Sequence, residues 1–127
     1  LANIAIIAVM IRYGTVSGLL MTLLRSGFVF LTRGASAAVM SLSGGLLAFA
    51  AAAVLMIIMK RSCKFSCIIA AMCHTLGQLA AACVLTGSVY TLAYVVVLMP
   101  VSIFTGFLTG TVLQALQGFL DDRKVVK

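Results

Sequence analysis

Apolar residues run through this chain in long blocks, broken by short polar or glycine-containing stretches. A membrane-crossing helix needs roughly 20 consecutive apolar residues, and on that measure the pattern predicts five hydrophobic segments. The first covers Leu1–Ile11. The second runs from Thr15 to Thr32, between Arg12-Tyr13-Gly14 and Arg33-Gly34. The third runs from Ala35 to Met59 and stops at Lys60-Arg61. The fourth runs from Phe65 to Leu85 and ends at Thr86-Gly87. The fifth runs from Pro100 to Leu120 and stops at Asp121-Asp122-Arg123.

Proline suits the first turn of a helix, where its missing N–H costs nothing. Ser88–Met99 then reads as an interfacial approach, with Tyr90 and Tyr94 on one face at headgroup level. The alternative is one long helix kinked at Pro100. The period-two alternation of a membrane β-barrel is absent. The expected fold is therefore all-α, a polytopic transmembrane helix bundle forming one domain over residues 1–127. The first segment is too short to span. A further helix before Leu1 is expected, giving six spans.

Composition strengthens this reading. The chain is 64% hydrophobic and only 9% charged, too little charge to cover a soluble domain of this size. The net charge of +7 is not spread as nucleic-acid binding would require. It clusters beside the apolar blocks, at Lys60, Arg61 and Lys64 and again at Arg123, Lys124 and Lys127. If the segments alternate, these residues and Arg12 share one side, and the other side receives only Arg33. The positive-inside bias then puts the C-terminus in the cytoplasm.

Small residues are dense at Ala35-Ser36-Ala37-Ala38, Gly44-Gly45, Ala48, Ala50–Ala53, and Gly106 with Gly110. Such spacing lets helix backbones approach closely. It serves packing within this bundle or docking against another membrane protein, and the sequence leaves both open.

A few polar groups are stranded in the apolar blocks: Asn3, Arg25, His74 and Gln78. Ionisable residues inside a membrane are costly and mark binding sites or pathways. At about 1.5 Å of rise per residue, Arg25 lies about 16 Å from the basic end of its segment, and His74 about 14 Å from that of its own. Ser41 and Ser43 on the third segment and Thr105 and Thr109 on the fifth reach a similar layer from the other end. His74 and Gln78 are four apart, hence on one helix face. Arg25 suits a carboxylate or phosphate group of a ligand, or an internal partner such as Asn3 or a backbone carbonyl. The chain's only acids, Asp121 and Asp122, lie outside the apolar blocks.

There is no Gly-rich phosphate loop for ATP and no acidic pair for Mg²⁺-diphosphate chemistry. The cysteines at 63, 67, 73 and 83 lack zinc spacing, and free thiols are expected. No cofactor and no catalytic role is expected.

Leu1-Ala2-Asn3-Ile4, Leu24-Arg25 followed by Gly34, Ser41-Leu42-Ser43-Gly44-Gly45, His74-Thr75-Leu76-Gly77-Gln78 and Thr105-Gly106 with Thr109-Gly110 together resemble the Gx transporter family, also described as heptaprenyl diphosphate synthase component I. That family is similar to the substrate-binding S components of energy-coupling factor importers. The resemblance implies a multi-pass protein of the bacterial cytoplasmic membrane that captures a small-molecule substrate near the outer face. It would work in contact with membrane lipid, a transmembrane coupling subunit and cytoplasmic ATPases. The family's second description implies instead a membrane accessory in polyprenyl diphosphate synthesis.

Overall fold

The computed structural model describes residues 2–55 and 63–125, with side chains for 5–55 and 64–118. Among the described residues five α-helices follow one another: α1 (Ala2–Tyr13), α2 (Thr15–Arg33), α3 (Ala35–Ala53), α4 (Cys63–Thr86) and α5 (Val95–Val125). A 3-10 helix, Val89–Tyr94, precedes α5. No strand occurs among the described residues. Four segments, Thr15–Arg33, Ala35–Ala53, Lys64–Thr86 and Val89–Gly118, are long and apolar enough to cross a membrane. The chain is a multi-pass, all-α membrane bundle.

The breaks predicted at Gly14 and Gly34 are single-residue connections. Both glycines take positive φ, 94° and 87°, a region closed to most side chains. The Gly34 N–H still donates to the Phe30 carbonyl at 3.1 Å, so the preceding helix is sealed before the chain reverses. The predicted end of the third segment at Met59, with Lys60 and Arg61, lies outside the described residues.

The fifth segment differs from expectation. The α-helix begins at Val95, and Pro100 lies inside it. The proline deprives only one carbonyl, that of Val96, of its usual i+4 donor. Val89–Met99 is therefore helical, 3-10 and then α, with Ser88 extended before it, and Tyr90 and Tyr94 are exposed.

Contacts run in chain order from α2 to α3, α3 to α4 and α4 to α5, while α1 touches all four. Lipid offers no hydrophobic drive for helix association, so packing selects small residues. The buried faces follow that rule: Gly18, Thr22 and Ser26 on α2, and Ala38, Ser41, Gly44, Gly45, Ala48 and Ala52 on α3. Phe28, Leu31 and Phe104 face outward, as expected of side chains in contact with lipid. The apolar core lies toward the Arg12 end, where Ile7 and Met10 of α1 meet Ala48 and Ala52 of α3, Cys67 and Ala70 of α4, and Leu113 of α5.

Candidate functional site

One turn beyond that core, α3 and α4 come into close backbone contact. A Cβ on Gly44 would lie 2.7 Å from the His74 carbonyl oxygen and 2.6 Å from Gln78 Cγ. A Cβ on Gly77 would lie 2.9 Å from Gly44 Cα. Ser43 Oγ donates across the same seam to the Gly77 carbonyl at 2.9 Å. The glycines thus bring the His74-x-x-Gly77-Gln78 face of α4 directly against the Ser41–Gly45 stretch of α3.

The half-buried His74 ring lies against Gly44, where a Cβ would stand 3.0 Å from its Cε1. Its Nδ1 is buried and has no hydrogen-bond partner. Ser41, one turn away on α3, is also buried, and its Oγ likewise has none. Orphaned buried polar atoms are costly and rare, and they mark places where a ligand, water or functional demand enters. Arg25 on α2 is half-buried and within electrostatic reach of the same imidazole. Its helix is tied to α3 by Ser26 Oγ, which donates to the Ala38 carbonyl at 3.0 Å, and by Thr22 packing against Gly45.

The structure therefore groups Ser41, His74 and Gln78, with Arg25 beside them. Ser43 belongs to the same seam, but its hydroxyl also reaches the Met40 carbonyl and is committed to backbone. Thr105 is exposed, and its hydroxyl donates to the Ser102 carbonyl at 3.2 Å. Thr109 is buried between Gly106 and Gly110, which pack on α4 near Cys67 and Lys64, nearer the basic end. Asn3 falls within α1, and its side chain lies outside the described residues.

Hydroxyls that the sequence reading passed over hold the surrounding helices. Thr75 and Ser102 share a short hydrogen bond between α4 and α5, and Ser102 also reaches the Leu98 carbonyl at 2.7 Å. Ser26 does the same between α2 and α3, while the Thr22 hydroxyl donates within α2 to the Gly18 carbonyl at 3.0 Å and its methyl packs against Gly45. The spacing of Gly18, Thr22 and Ser26, one small residue every helical turn, is the signal that could have revealed them. Next to the polar cluster, on the core side, lies an apolar crevice lined by Ile6, Ile7, Ala48, Phe49 and Ala70. Among the described residues no group of three or more His, Cys, Asp and Glu side chains converges as a metal site would require.

The grouping suits recognition of a small polar molecule by one cation and several neutral hydrogen-bonding atoms. No curated protein and no solved structure gives a significant match to this chain. The sequence pattern of the heptaprenyl diphosphate synthase component I family matches residues 1–116, nearly the full length, and the chain belongs to that family.

Proposed function

We propose that the chain is a non-catalytic, membrane-embedded binding subunit that captures a small molecule bearing an anionic group. Arg25 supplies the positive charge, and His74, Ser41 and Gln78 supply hydrogen bonds, with Asn3 of α1 completing the layer. One observation carries the reading. Two buried polar atoms, His74 Nδ1 and Ser41 Oγ, lack protein partners beside an arginine held between apolar helices. Without an ATP-binding loop of its own, such a subunit would draw energy from a transmembrane coupling protein and cytoplasmic ATPases, as an S component does. Native mass spectrometry of the protein purified from its host membrane tests this. A co-purifying small molecule is expected, and Arg25→Ala should abolish it. Retention of that molecule by Arg25→Ala would remove the role given to the arginine.

The family description favours a second reading. An isoprenoid diphosphate would place its head group at Arg25 and be held for a soluble synthase. Affinity capture separates the two: ATPases and a coupling subunit support import, and a prenyl synthase supports the accessory role.

A further inference from the structure

Cations far apart in the chain come to one end of the bundle. Met10 of α1 and Cys67 of α4 share the core. Arg12 lies two residues past Met10 at the close of α1, and Lys64 three residues before Cys67 at the opening of α4. Arg12 is exposed and Lys64 half-buried, and neither has an ion-pair partner among the described residues. Lys64 packs on Gly110 of α5. The chain's only acids, Asp121 and Asp122, begin eleven residues farther along that helix, a rise of about 16 Å. The sequence adds Lys60 and Arg61 just before Lys64, whereas the opposite end of the bundle carries only Arg33, at the close of α2. Exposed apolar or aromatic side chains stand beside each cation: Ile11, Tyr13 and Val16 near Arg12, and Phe65 next to Lys64. A cation alone suits any anion. A cation set among exposed apolar groups suits an amphiphile, whose phosphate takes the charge and whose chains cover the apolar surface.

We propose that Arg12 and Lys64 mark a rim that holds anionic phospholipids, with the lipid phosphates at the two cations and the acyl chains on the exposed side chains beside each. The rim is separate from the Arg25 cluster and does not depend on the capture reading. Each cation near a membrane surface favours an anionic lipid by up to about fivefold. The attraction is electrostatic, so it weakens as salt shortens the screening length from about 10 Å at 0.1 M to about 3 Å at 1 M.

Electron spin resonance on the protein in phosphatidylcholine nanodiscs tests it, with spin-labelled phosphatidylglycerol and spin-labelled phosphatidylcholine as the probes. The wild-type chain should immobilise phosphatidylglycerol several-fold more strongly, and the preference should shrink in about 1 M salt. Equal association of the two lipids, or a preference that salt leaves untouched, would overturn the proposal without any variant. Arg12→Gln combined with Lys64→Gln should remove most of the preference, and Arg12→Lys combined with Lys64→Arg should keep it. An undiminished preference in the neutral pair would overturn the assignment to these residues. Arg33→Gln, at the opposite end, should change nothing, and loss of the preference there would place the lipid on the wrong end for this proposal. Inorganic phosphate should not displace the labelled lipid. Displacement by it would mean a site for a free anion and would overturn the lipid assignment.

Discussion

Gly44 of α3 and Gly77 of α4 face each other so closely that a Cβ on Gly77 would stand 2.9 Å from Gly44 Cα and 2.8 Å from the Ser43 carbonyl oxygen. The atoms in the way are mostly backbone, which cannot swing aside. Gly77→Ala should therefore push the helices apart, destabilise the bundle by about 1–3 kcal/mol and displace His74 and Gln78. Gly27→Ala, where nothing lies within 4 Å of the new methyl, should stay within about 1 kcal/mol of wild type. Unfolding midpoints in detergent, paired with ligand retention, check both. Equal behaviour of the two variants would count against the seam.

Ser41→Ala should separate stability from binding. Its Oγ is buried with no protein partner, so removing it relieves an unmet group and should leave the ligand-free protein unchanged or more stable, by up to about 1–3 kcal/mol. If the hydroxyl serves the ligand, affinity should fall at the same time. Thermal unfolding without ligand and native mass spectrometry with it read the two effects independently.

Ser26→Ala should do the reverse. That hydroxyl is already committed to the Ala38 carbonyl, and interhelical hydrogen bonds in membranes contribute on average about 0.6 kcal/mol and at most about 2. Stability should fall by that order, with the ligand's hydrogen bonds intact. Denaturation by sodium dodecyl sulfate in mixed micelles would measure it.

Pro100→Ala restores an N–H for the Val96 carbonyl inside α5. An interior proline costs an α-helix about 3 kcal/mol or more. Pro100 lies in the second turn of α5, directly after the 3-10 helix, so the gain should be a fraction of that, with slower hydrogen exchange at residues 98–102. Unchanged exchange there would mean that Pro100 imposes no local cost.

The helix boundaries at Gly14 and Gly34 were legible because each joins a basic residue to a glycine at the end of an apolar block. The start of α5 was not, because Pro100 reads equally well as a helix start and as an interior residue tolerated where a single carbonyl loses its donor. Arg25, His74 and Ser41 stand out in the sequence because each is a polar residue set inside an apolar block. Direction around the helix was harder to read. Thr105 was expected in the polar layer with His74, yet it points outward, while Ser102, three residues earlier, points in. Short hydroxyls such as Thr22 and Ser26 passed unnoticed because serine and threonine are ordinary in membrane helices, and only their one-per-turn spacing sets them apart.

Ile7 and Leu113 belong to one core, though nearly the whole chain separates them. At ribosomal speeds of about 5–20 residues per second, roughly 5–20 s elapse between the two. By then α1 can already pack on α2, α3 and α4, and Leu113 of α5 is the last side chain added to the core. The order of synthesis therefore leaves α5 to close a core that α1, α3 and α4 have already begun.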